Sequence, residues 1–204
     1  QWSLVGSEMC IRDSPMDTMT YLVNQSFKLP KNRIIGMGGI LDSSRFKTYI
    51  SKATDCSQHE IEAMVIGGHG DTTMIPITSL AKCNNELLTK ILSENQITEI
   101  ASNTMVGGAT LTKLLGTSAW YAPGASVSYL VSAILNDTKE ILPCSVLLDG
   151  EYGAKDLCIG VPVLIGKDGF EEVVELDLSN KELEMFKNSI KAVKETNSSL
   201  IGLI

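Results

Sequence analysis

"ILPCSVLLDGEYGAKDLCIGVPVLIGKDGFEEVVELDL", residues 141–178, holds three apolar runs divided by glycine-bearing turns. "KDG" (167–169) is a tight-turn signal between the last two runs, so they pair as an antiparallel hairpin. No stretch of helical length divides the runs, and parallel pairing would need a crossover of about a dozen residues. The closing section therefore reads as antiparallel sheet. After it, 179–200 reads as an amphipathic helix with Leu183, Phe186, Ile190 and Val193 on one side.

Upstream of the sheet, helices are expected over 84–94, 97–116 and 122–136. The second carries Ile97, Ile100, Ala101, Met105, Ala109, Leu111, Leu114 and Leu115 on an apolar face, and the third begins near Pro123. "EAMVIGG" (62–68) reads as a strand, "MIPITSL" (74–80) as an extended piece, and "DSSRFKTYISKAT" (42–54) as a helix begun by a capping Asp or Ser. "RIIGMGG" (33–39) reads as a buried strand running into glycines. Before it, Met16, Met19, Tyr21, Leu22, Val23 and Phe27 form a helical stripe with Pro15 at its first turn. Residues 1–14 follow neither period and are expected to be a non-native leader. The order lacks regular βαβ alternation, which predicts an α+β fold rather than a doubly wound one.

Composition narrows the function classes. The chain has 204 residues, 44% hydrophobic and 20% charged, with a net charge of -7. No apolar run reaches the roughly 18 residues of a membrane span. The acidic balance, without a Lys/Arg cluster, excludes a nucleic-acid footprint. The five cysteines are scattered without CxxC spacing, and with only two histidines no metal site is expected; reduced thiols in a cytoplasmic protein are the reading.

Three polar residues follow strand ends, where open sheets place ligands: Asp42, Arg45 and His69. By itself, a histidine between glycines in "GGHGD" (67–71) reads as a turn residue more readily than as a base. An Asp–x–x–Arg at a helix start reads as a cap with a surface ion pair. Together they have a chemical use. A carboxylate bonded to one ring nitrogen fixes the histidine tautomer and stabilises the imidazolium, and an arginine three residues on can grip a substrate carboxylate through two hydrogen bonds. "GMGGILD" (36–42) lacks the spacing of a dinucleotide-binding glycine loop.

"GMGGILDSSRF" (36–46) and "GGHGDTTMIP" (67–76), followed in order by "SAWYAPGAS", "ILPCSVLLDGEYG" and "GVPVLIGKDG", closely resemble the NAD-dependent lactate/malate dehydrogenase family, in detail its malate dehydrogenases of lactate-dehydrogenase type. The resemblance runs from about Pro15 to the C-terminus. It implies hydride transfer between malate/oxaloacetate and NAD(H), with His69 as proton acceptor, Asp42 as its partner and Arg45 as carboxylate clamp. It also implies substrate contacts for Ser118 and Ala119. Ser14 stands where the family has an asparagine near substrate and nicotinamide.

The family's cofactor half, with its glycine fingerprint and arginine-bearing loop, has no counterpart in this sequence. The expectation is a C-terminal portion: leader 1–14, a last helix and strand of a Rossmann domain over 15–38, and a catalytic domain over 39–204. Such a chain is expected to be inactive alone, and its full-length parent a homo-oligomer. Lactate or another 2-hydroxy acid is an alternative substrate, since the family's selectivity lies in the arginine loop. A non-catalytic assembly module is the alternative from another class.

Overall fold

The computed structural model describes residues 16–200. Helix α1 (Met16–Ser26) precedes helix α2 (Gly38–Thr54), and strands β1 (Ile61–Glu62), β2 (Val65–Gly67), β3 (Met74–Pro76), β4 (Lys82–Cys83) and β5 (Glu86–Leu87) follow. Then come helices α3 (Leu88–Ile91), α4 (Glu94–Leu115) and α5 (Tyr121–Leu135), strands β6 (Ile141–Asp149), β7 (Lys155–Gly166) and β8 (Gly169–Val173), and helix α6 (Asn180–Asn197). Every strand pairing is antiparallel. The fold is thus α+β, as the closing sheet implied.

Strand β7 organises the larger sheet. It pairs along its length with β6, meets β2 at Gly67↔Gly160, and pairs near its end with β8. Its run from Leu157 to Val163 is buried throughout, because both faces are covered. One face contributes to a core of Ile66, Ile75, Val146, Ile159, Val161 and Phe186. A second core, with Phe46, Ile50, Val65, Met74, Leu88 and Ile100, joins α2, α4 and the small β1-β4-β5 sheet. Helix α6 starts where Ser179 and Glu182 form a reciprocal capping box, and it seats Phe186 in the first core.

Several local expectations are corrected. The strand expected over 33–39 is a single bridge, Gly36↔Ser145, because the chain turns at Met37 and enters α2 at Gly38. Helix α2 therefore begins four residues before Asp42, and Asp42 is a buried interior residue rather than a cap. The helix expected over 84–94 is shorter: α3 covers only Leu88–Ile91, and the residues before it form a hairpin. Asn84 and Asn85 both adopt positive φ (51° and 64°) and form the two-residue turn between β4 and β5. Helix α4 keeps Ile100 in the core, but Leu114 and Leu115 at its end are exposed.

The cysteine reading also changes, since Cys56 and Cys83 are joined as a disulfide. Pairing of β1 with β4 brings Cys83 back toward the end of α2, a juxtaposition that no sequence spacing announces. Among the described residues, no helix is long and apolar enough to cross a membrane.

Candidate active site

The site forms where α2 lies against the β2–β3 loop. Ser43 on α2 accepts the Val65 N–H through its hydroxyl oxygen (2.9 Å), which fixes the helix against β2. The loop itself folds back through Gly70 N–H to Gly68 O and Thr73 N–H to Gly70 O, both 2.9 Å. Helix α6 pins it from another side, with the Ser189 hydroxyl accepting the Gly68 N–H and donating to Thr73 O, each at 2.8 Å. A loop held by two helices presents His69 in a defined position.

Asp42, Arg45 and His69 come together as their types suggested. The His69 ring lies with Nδ1 2.5 Å from Asp42 Oδ2, and Arg45 Nη1 donates to Asp42 Oδ1 at 2.9 Å. Asp42 is 1% exposed, whereas the His69 and Arg45 side chains keep 18% and 20% of their surface open. A buried carboxylate accepting from both neighbours makes Nδ1 the protonated nitrogen of the neutral ring, so Nε2 is its basic atom. Burial, the largest influence, pushes the imidazole pKa down. The Asp42 hydrogen bond and charge, with the Asp17 charge, outweigh burial and the opposing Arg45 charge, and the ring titrates above the ordinary histidine value.

One glycine makes this geometry possible and a second gives it room. A Cβ on Gly38 would lie 2.5 Å from His69 Cγ, so only glycine at that position admits the ring. A Cβ on Gly108, inside α4, would come within 3.2 Å of Arg45 Nη1. "GMGG" lacks the spacing of a dinucleotide loop, and nothing in the sequence pattern marks the α4 glycines.

His69 and Arg45 line a cleft of about 1920 Å³, walled by Met37, Leu41 and Thr112 among others. Ala119 lines it as well; Ser118 is buried and is not among its lining residues. Ser14 lies outside the described residues, as does the expected leader. Asp17 on α1, which the sequence reading did not single out, is buried beside His69 and accepts its backbone N–H at 2.7 Å. Among the described residues, no group of three or more His, Cys, Asp or Glu is placed to hold a metal ion.

Comparison with known proteins adds an independent line. Residues 40–200 match the family described as lactate/malate dehydrogenase, alpha/beta C-terminal domain. The malate dehydrogenase of Bacteroides thetaiotaomicron is 58% identical over 192 residues, covering 94% of this chain and 61% of that protein. That of Flavobacterium johnsoniae is 59% identical over 191 residues, with the same coverages. The chain thus spans about 60% of the length of the curated relatives it matches.

Among solved structures, malate dehydrogenase from Salinibacter ruber superposes with a TM-score of 0.89 at 41% identity, over 93% of this chain and 62% of that one. The lactate dehydrogenase of Cryptosporidium parvum, complexed with lactic acid and nicotinamide adenine dinucleotide, gives 0.89 at 35% identity, over 92% and 61%.

Proposed function

Taking as premise that this chain belongs to the lactate/malate dehydrogenase family, we propose that it supplies the proton-transfer and substrate-carboxylate half of an NAD-dependent malate dehydrogenase. The observation that carries the reading is the shared carboxylate of Asp42, bonded on one oxygen to His69 Nδ1 and on the other to Arg45. Identities of 58–59% to malate dehydrogenases favour malate over lactate.

The overall reaction is malate plus NAD giving oxaloacetate, NADH and a proton. In the oxidising direction the malate C2 hydroxyl gives its proton to His69 Nε2. The ring becomes an imidazolium, which Asp42 stabilises through the Nδ1 hydrogen bond without itself taking the proton. In the reducing direction the same imidazolium returns the proton to the carbonyl oxygen. Arg45 spends one of its five N–H donors on Asp42 in the described structure, and its remaining donors suit a substrate carboxylate in the cleft.

The glycines preceding Asp42 do not supply a phosphate loop. They are occupied by protein: Gly38 by the His69 ring, Gly39 by Pro143 and Gly36 by Thr20 and Ser145. No cradle is left there for a phosphate. On the proposed reading NAD is held by a further domain of the whole enzyme, of the kind its longer relatives have room for. The polypeptide of 204 residues alone then lacks the proximity of hydride donor and acceptor, which is worth on the order of 7–11 kcal/mol.

The test joins this chain to the cofactor-binding portion of the Bacteroides thetaiotaomicron malate dehydrogenase. The chimera is expected to oxidise NADH with oxaloacetate, while the 204-residue chain alone gives no rate above buffer. A folded chimera without oxaloacetate reduction overturns the dehydrogenase reading. Turnover by the chain alone overturns the account of the cofactor.

A further inference from the structure

We infer that Asp17 is a positioning residue for His69, holding the base's backbone from helix α1 and placing a second carboxylate beside its ring. The inference rests on the proposed role of His69 as the proton-transferring group.

Asp17 is a buried carboxyl group with a fixed donor on each of its oxygens. Asp17 sits in the first turn of α1 and is 4% exposed. Its Oδ2 accepts the His69 N–H at 2.7 Å and its Oδ1 accepts the Ser145 hydroxyl at 2.6 Å. Ser145 is fixed in turn, because its backbone exchanges both hydrogen bonds with Gly36, at 2.7 and 2.8 Å. The side chain of Asp17 therefore ties α1, β6 and the catalytic loop at one point. An acidic side chain in the first turn of a helix is ordinarily solvated and favoured by the helix dipole. Burying one costs several kcal/mol unless its oxygens are satisfied, so the two donors are what make this placement tolerable.

A small cavity, separate from the cleft, is lined by Asp17, Asp42, His69 and Ser145 together. His69 thus sits between two carboxylates that act on different parts of it: Asp42 on Nδ1, Asp17 on the backbone. Both oxygens of Asp17 accept from donors held in place, which suits its ionised form. Burial pushes its pKa above the usual carboxylate range, against the bonds from Ser145 and His69 and the His69 charge, which pull it down, while the Asp42 charge adds to the rise.

The charged groups around the ring come from several elements. Helix α2 contributes Asp42 and Arg45 and α1 contributes Asp17, while Asp71 of the loop lines the cleft. Lys113 of α4 and Glu195 of α6 stand on the cleft walls. Of these, Asp42, Asp17 and Arg45 set the ring's titration, with Asp17 reinforcing Asp42. Loss of the Asp17 charge lowers the His69 pKa and shifts the balance toward the neutral base.

The test reads His69 itself, so it stands apart from any assay of turnover. The chain has only two histidines, and a His59→Gln background leaves one ring to follow by NMR. Asp17→Asn is nearly isosteric: its amide oxygen can still accept the His69 N–H, and its NH2 can donate to Ser145 Oγ once that hydroxyl turns away. The expected result is a lower His69 pKa than in the unsubstituted chain, with the circular dichroism spectrum unchanged. Asp168→Asn, which removes an exposed carboxylate paired with Arg33, is expected to leave the His69 titration in place.

An unchanged His69 pKa in folded Asp17→Asn overturns the inference. If that variant does not fold, the unsubstituted chain decides. Its His69 amide proton, bonded to Asp17, is expected to move as the carboxyl titrates, and an amide resonance flat through that range overturns the inference too. An inactive chimera with the predicted shifts intact would count against the dehydrogenase reading and leave the positioning role standing.

Discussion

Replacing Asp42 by asparagine removes the charge at the centre of the site while the side chain keeps its shape. In the parent, one oxygen takes the His69 Nδ1 hydrogen at 2.5 Å and the other an Arg45 hydrogen at 2.9 Å, with the carboxylate 1% exposed. Hydrogen bonds to charged groups contribute roughly 1.5–3 kcal/mol each. The bond to Nδ1 strengthens when the ring becomes an imidazolium, so its loss falls on the transition state. An amide can also present its NH2 to Nδ1, which would place the ring hydrogen on Nε2 and remove the base. Losing about 3 kcal/mol slows turnover roughly a hundredfold. Reversal of the tautomer can carry the loss to about 10⁴-fold, the scale reached when the carboxylate of a Ser-His-Asp triad is replaced in the same way.

The Arg45 bond contributes to stability as well, at less than the roughly 3–5 kcal/mol of a fully buried pair, because the guanidinium is 20% exposed. The assay is steady-state malate oxidation by the chimera, the direction in which the ring gains the proton, with NADH affinity read separately from nucleotide fluorescence. A kcat within about threefold of the parent, less than 1 kcal/mol of barrier, would refute the assignment of Asp42 as the partner of the base.

Because the His69 pKa is raised, kcat/KM for malate oxidation should climb with pH through a value above the ordinary 6.5, while that for oxaloacetate reduction falls through the same region; profiles centred below 6.5 would contradict the electrostatics. The same shift stabilises the fold below the unfolded-state pKa, and that increment disappears as pH rises through the folded value, a trend that urea titrations should lose in His69→Gln. Gly38→Ala should displace the His69 ring, changing its ring-proton shifts and lowering turnover, since the new Cβ would lie 2.5 Å from Cγ. Gly124→Ala, in open space within α5, should instead stabilise by about 0.5–1 kcal/mol without touching the site. Phe186→Ala removes a fully buried ring from the larger core and should cost about 3–5 kcal/mol in urea denaturation.

What the sequence discloses depends on whether the signal is local. Strands β6, β7 and β8 are legible because apolar runs and a turn signal lie next to one another, helix α6 because its apolar face is continuous, and helix α5 because Pro123 marks its start. Asp42, Arg45 and His69 are legible as a trio of types at strand ends, though Asp42 was expected at a cap and lies within α2. The hairpin at Asn84–Asn85 was hidden because its flanking leucines also satisfy a helical spacing; two residues at positive φ decide the matter. Asp17 was missed for a different reason. Its partners are 52 and 128 residues away, and an acidic residue early in a helix has an ordinary explanation. The glycines of "GMGG" show the converse, since a pattern weighed for its fit to a ligand loop proves to make room for the protein's own side chains.

The central claim is that His69 carries the proton in this site, and the most direct measurement is oxaloacetate-dependent NADH oxidation by the chimera with and without His69→Ala. The account predicts that turnover is abolished while NADH binding stays close to the parent's. A His69→Ala chimera that keeps near-parental turnover would contradict it.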